Sequence, residues 1–207
     1  HKVAYSFYRQ DDEGNYSTVI DSARGFYIMD LLDYANVDTS TISSISFYTK
    51  DQTVGYFTSF TYNELFSTER YYFEDLAGHL TPEYDDNGKF KGVKVKSSAW
   101  SDKVRVQPML ALEDSWARYE LEQEHTAPNF TSMSTANRFR LLFGQTTPAE
   151  SRTNQTAKYV HTMYVTFTGV PEVVDKPDKV SGEVGQHKTS FRVSAGDMAM
   201  VRSLIDK

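Results

Sequence analysis

The sequence predicts an α+β fold, mixed β-sheets with a few short helices. Tyr159, His161, Met163, Val165 and Phe167 alternate with polar neighbours, the period of a half-buried strand. Ile28, Leu31, Leu32 and Ala35 recur at i, i+3, i+4 and i+7, which lines one face of a helix. Thr61 followed by Glu64 has the spacing of a capping box and predicts a second short helix over about 62 to 68.

The remaining elements follow in order. Val3, Tyr5 and Phe7 alternate ahead of the turn-forming cluster Asp11-Asp12-Glu13-Gly14-Asn15, and Val19-Ile20 lies on the return, so a strand, a turn and a second strand open the chain. The first helix closes at Asn36, a residue that tolerates the left-handed conformation. Ile45 and Phe47 predict one strand, and Val54, Tyr56, Thr58 and Phe60 its partner. Asn87-Gly88 is the strongest hairpin signal. Val93 with Val95, and Val104 with Val106, alternate with polar and basic residues as half-exposed strands do. Met109 to Leu112 and Phe139 to Phe143 are short apolar runs suited to strands covered on both faces, while Glu120 to Asn129 reads as a long acidic loop. Gly169-Val170-Pro171 ends the last long strand. Residues 1–170 are therefore expected to form one domain, and 171–207 a linker with a C-terminal extension or the start of a next module.

Composition excludes several chemistries. Among 207 residues there is no cysteine, which removes disulfides, thiolate metal sites, iron–sulfur ligation and cysteine nucleophiles. With 22 Lys+Arg against 28 Asp+Glu and a formal net charge of -6, there is no basic footprint for nucleic acid. No apolar run approaches the about 18 residues of a membrane-spanning helix. A start at His1 rather than Met suggests a piece or processed form of a longer protein, and the Ser, Thr, Asn and Tyr content suggests an extracellular or cell-wall location in a Gram-positive bacterium.

The chemical motifs are sparse. His1, His79, His125, His161 and His187 include no pair at helical ligand spacing. The carboxylates around Gly14 and Gly88 lack calcium-loop spacing and read as turns, and Glu120, Glu122 and Glu124 beside His125 read as a solvated acidic loop. There is no Gly-x-Ser-x-Gly elbow and no glycine-rich phosphate loop. Trp100, Trp116 and Tyr119, with Arg118 among them, lie in an irregular middle stretch, where they either line a cleft for a sugar, peptide or protein or pack beneath the loops. Arg138 and Arg140 flank Phe139 at strand spacing and are expected on one face, paired either with surface carboxylates or with an anion.

Gly25 to Asp38, the strand pair with the Thr61 capping box, Met109-Leu110-Ala111-Leu112-Glu113, Phe139-Arg140-Leu141-Leu142-Phe143-Gly144 and Ala157-Lys158-Tyr159-Val160 stand in an order and spacing that covers about 24 to 168. This pattern resembles the molybdopterin-binding domain of sulfite-oxidase-type oxidoreductases, in the cysteine-lacking form found in Firmicute cell-surface proteins. The resemblance implies an α+β domain in which Arg138, Arg140 and Lys158 surround an anionic cofactor. That family holds molybdenum through a cysteine thiolate, which this chain lacks. The expected function is a non-catalytic binding or spacer domain of a bacterial surface protein, without cofactor, beside neighbouring modules and facing an unidentified protein or glycan. The alternative is a molybdopterin-dependent oxidoreductase with non-cysteine ligation.

Overall fold

A computed structural model describes residues 1–10, 16–52, 54–123 and 128–168, with the backbone of 189–191. The first half runs β1 (Lys2–Gln10), β2 (Tyr16–Tyr27), α1 (Ile28–Tyr34), β3 (Ile42–Thr49), β4 (Thr58–Thr61), β5 (Arg70–Phe73) and β6 (Leu80–Tyr84). The second half runs β7 (Phe90–Val95), β8 (Lys103–Val106), β9 (Met109–Tyr119), β10 (Arg140–Leu142), β11 (Val160–Phe167) and β12 (Thr189–Phe191).

Two four-stranded sheets result, ordered β1-β2-β9-β10 and β12-β11-β3-β4, with small ladders β5-β8 and β6-β7 beside them. Long β2 is central because it pairs with β1 on one edge and β9 on the other, and its middle is buried throughout. One apolar core gathers Ile28 and Leu32 of α1 with Ile45, Phe47, Phe60 and Phe143. A second lies against the first sheet, around Tyr5, Phe7, Val19, Met109 and Leu142. Phe143 joins them, with ring centroids 4.9 Å from Phe60 and 6.3 Å from Phe7.

The α+β expectation is overturned. Strands occupy 49% of the described residues against 15% helical ones, and the antiparallel sheet curls as a half-barrel, so the fold is β-rich. The expected mixed sheets are also replaced: every ladder between the strands is antiparallel. The helical signals are local and short. Helix α1 is seven residues and ends where the sequence places its end. Asn36 adopts φ 52°, the Asn36 N–H donates to the Asp33 carbonyl, and the Val37 N–H donates to Leu32 at 3.0 Å, a Schellman closure. The Thr61 box forms reciprocally, with the Glu64 N–H on Thr61 Oγ1 at 3.1 Å and the Thr61 N–H on Glu64 Oε2 at 2.9 Å. It opens only a single π turn, Asn63–Ser67, ended when the Thr68 N–H donates to Asn63 O at 2.8 Å.

Other expectations meet the structure unevenly. Asp85 Oδ1 accepts the N–H groups of Asn87 and Lys89, and Gly88 takes φ 74°, so the Asn87-Gly88 hairpin forms between β6 and β7. The alternation from Val54 is strand only from Thr58 onward, and Val54 and Tyr56 are exposed in the β3–β4 connection. The opening turn at 11–15, Glu124 and His125 of the acidic loop, the boundary near 170 and the linker beyond it lie outside the described residues. The backbone of β12 pairs with β11, placing Phe191 opposite Met163.

Candidate functional site

Arg140 is the largest fully buried side chain among the described residues, and two carboxylates surround it. Its Nη1 lies 3.4 Å from Asp21 Oδ2, and its Nε lies 3.0 Å from Asp114 Oδ2. The guanidinium rests 4.2 Å from the centroid of the Trp116 ring. The sheet order produces this meeting: Asp21 is on β2, Asp114 and Trp116 on β9, and Arg140 on β10, with Asp21 registered opposite Trp116. Asn137 contributes its amide at 3.5 Å from both Asp114 oxygens, and Asp114 and Ser134 exchange backbone hydrogen bonds. The cluster therefore also pins the segment before β10 onto β9.

Two carboxylates and one guanidinium leave one negative charge uncompensated in the interior. Burial pushes the Asp21 carboxyl up to about 7, Arg140 opposes the shift, and Asp114 adds to it. The Ser115 backbone N–H and Lys158 also favour the ionised form. Lys158 is exposed and acts on the cluster from outside, while Arg138 is exposed and Arg140 is buried, so the two arginines do not present one basic face.

The aromatic trio separates as well. Trp116 and Tyr119 lie on β9, which extends through the stretch read as irregular. Both pack against the second core, and the Trp116 ring stacks on Phe7 at 5.9 Å. Trp100 is 44% exposed, with Phe73 edge-on at 5.8 Å and Lys103 Nζ 5.4 Å from its ring.

Beside Trp100 stands a group that sequence spacing did not reveal. His79 is buried, with Nδ1 3.1 Å from Ser98 Oγ and Nε2 3.1 Å from Asp102 Oδ2. Ser98 hydrogen-bonds the imidazole at Nδ1, whereas Nε2 stands at ion-pair distance from Asp102 without making a hydrogen bond. Backbone bonds reinforce this group: the Lys96 N–H donates to His79 O at 2.9 Å, and Lys96 Nζ donates to Gly78 O at 2.7 Å. The available signal was a histidine inside the stretch Leu76-Ala77-Gly78-His79-Leu80, where burial demands partners.

A second buried arginine, Arg70, donates from Nε to Glu64 O at 3.1 Å and lies 3.7 Å from Glu150 Oε2, which places it in the loop framework around Gly144. Among the described residues, no group of three His, Asp or Glu side chains is placed to hold a metal. An open depression at the end of β9 is lined by Arg118, Glu120, Leu121, Glu122 and Gln123. Among the described residues, no helix is long and apolar enough to cross a membrane.

The residues that the resemblance assigns to molybdopterin do not fit that group. Arg140 is engaged by Asp21 and Asp114, Arg138 and Lys158 are exposed outside that cluster, and the chain supplies no thiolate. Comparison with protein-family models, with curated proteins and with solved structures finds no match.

Proposed function

We propose that this chain is a non-catalytic binding or spacer domain of a bacterial cell-surface protein, working outside the cell or in the wall beside neighbouring modules. The observation that carries the reading is the position of Arg140. A guanidinium held at 3.0 Å and 3.4 Å by two buried carboxylates, with an indole over its face, is committed to joining β2, β9 and β10. The side chain best placed in sequence to grip an anionic cofactor therefore has a structural task. The extended antiparallel sheets supply a rigid frame whose outer faces can meet a glycan or a protein.

The test is to express the chain in a host that makes molybdopterin, supply molybdate, and measure molybdenum, tungsten and pterin fluorescence after denaturation. The expected result is neither metal nor pterin above background. Near-stoichiometric amounts of both would overturn the reading in favour of an oxidoreductase with oxygen ligation.

A further inference from the structure

Exposed apolar side chains gather at one end of the second sheet. The connection from β3 to β4 carries Val54, Tyr56 and Phe57, all of them exposed. Exposed Tyr159 joins them, because the Lys50 N–H donates to Tyr159 O at 3.3 Å where β11 begins beside the end of β3. The Phe57 N–H donates to Phe47 O at 2.8 Å, which folds the connection back, and the Tyr56 ring lies 6.3 Å from Tyr48. Four of the eight large exposed apolar side chains among the described residues therefore share this end. A contiguous apolar cluster on a protein surface marks a place where something docks.

Strand β12 points at the cluster. It is the edge strand beside β11, and its pairing runs from Val165 to Met163, toward Val160 and the end where the cluster stands. Continued at that register, position 195 draws level with Tyr159. Residues 192–207 lie outside the described residues, and their sequence supplies a cover. Gly196 interrupts the chain, Asp197 is a favoured helix N-cap, and Met198 to Lys207 follow. At helical period Met198, Met200, Val201, Leu204 and Ile205 fall on one half of the surface, and Arg202, Ser203, Asp206 and Lys207 fall on the other. So short a helix does not hold in water without a partner for its apolar half. The length fits as well: residues 198–205 span about 12 Å as a helix, and two strand spacings, from β12 across β11 to β3, come to about 10 Å.

We infer that residues 198–205 dock as an amphipathic helix across this end of the sheet, with the apolar half over Val54, Tyr56, Phe57 and Tyr159. The partner of the exposed cluster is thus the chain's own segment beyond β12. The inference stands apart from the binding or spacer reading, and it assigns 198–205 to this domain rather than to a next module.

The chain has no cysteine, so an introduced thiol reports its own surroundings. The test measures, in the full chain, how fast a soluble disulfide reagent modifies Val54→Cys and, as the reference, Val104→Cys on β8. Position 54 is 81% exposed and position 104 is 53% exposed, so without a cover position 54 reacts at least as fast. The expected result is that Val54→Cys reacts about ten-fold more slowly at every protein concentration, and that Val201→Asp with Leu204→Asp abolishes the difference. A short bis-maleimide is expected to join Val54→Cys to Ile205→Cys within one chain, and to join Val104→Cys to Ile205→Cys far less. That crosslink decides the matter if the double-aspartate variant aggregates. Equal rates at 54 and 104 overturn the inference, and position 54 slowed only by added phosphatidylcholine vesicles would assign the cluster to a lipid surface instead. Protection that grows with protein concentration, with crosslinks between chains, overturns it in favour of a second copy. Protection that survives the two aspartates, or equal crosslinking of 54 and 104, overturns it as well.

Discussion

Arg140 and Asp21 lie 119 positions apart in the chain, yet their side chains meet at 3.4 Å inside the protein. The contact crosses from β10 to β2 over β9, so it ties together three strands of the first sheet. Asp114 completes it from the strand between them at 3.0 Å. The fold must therefore keep a guanidinium and two carboxylates dry, and the balance of charge among them is sensitive to pH.

The Asp21 carboxyl stands at about 7 in the folded protein, raised first by burial and further by Asp114 against the pull of Arg140 and Lys158. A raised carboxyl pKa gives stability that is fully present below the unfolded value of about 4 and lost as pH climbs through 7. Unfolding free energy from urea titrations is expected to fall by on the order of 2–3 kcal/mol between pH 5 and pH 8. Asp21→Asn should flatten that slope. Glu64, whose carboxyl is lowered by the Thr61 backbone and hydroxyl, acts oppositely, but only as pH falls below the usual carboxylate range, outside this window. A slope unchanged by Asp21→Asn would place the titration elsewhere.

Removing the guanidinium is more severe than neutralising one partner. Arg140→Ala leaves two buried carboxylates facing each other and is expected to cost about 3–5 kcal/mol. Exposed Arg138, two residues earlier, should tolerate alanine within about 0.5 kcal/mol. Chemical denaturation of both variants at pH 7 decides the point: equal losses would mean that Arg140 is not the keystone its contacts describe.

These contrasts show where the sequence was readable. Helix α1, its Asn36 closure, the Thr61–Glu64 box and the Asn87-Gly88 turn are set by neighbours within about five positions, and each forms as its spacing predicts. The balance of helix and sheet was not readable, because the Thr61 box opens one π turn and β9 runs on to Tyr119. Glu113 to Tyr119 have no clean alternation, since the strand is held by registered pairing with β2 about 90 residues upstream. Asp21, Asp114 and Arg140 belong to three strands, and His79 finds Ser98 and Asp102 across a hairpin, so neither group has a local signature.

Gly144 illustrates a residue whose role appears only in three dimensions. It takes φ +73°, and an added Cβ would stand 2.5 Å from Val106 Cγ2 and 3.0 Å from Tyr71 O. Next to it, Gln145 and Tyr71 exchange backbone hydrogen bonds at 2.8 and 3.0 Å, locking the loop against β5. Gly144→Ala combines left-handed strain with a clash against a strand edge and should cost about 2–3 kcal/mol. Thermal unfolding checks this, with Gly88→Ala as the comparison. Gly88 has a similar φ of +74° but nothing within 4 Å of the added carbon, so strain acts alone and the loss should be about 1 kcal/mol.

The His79 group gives a final test of structure against chemistry. Its imidazole lies between Ser98 of the segment after β7 and Asp102 just before β8, hydrogen-bonded to Ser98 through Nδ1 at 3.1 Å and with Nε2 at ion-pair distance, 3.1 Å, from Asp102. If the group is a staple, His79→Ala should cost about 2–3 kcal/mol by leaving a cavity and freeing both partners, whereas Ser98→Ala, at an exposed hydroxyl, should cost about 1 kcal/mol or less. The same preparations, treated with a fluorophosphonate probe, should show no labelling at Ser98. Stoichiometric labelling that requires His79 would instead identify an activated serine and would overturn the non-catalytic reading of the domain.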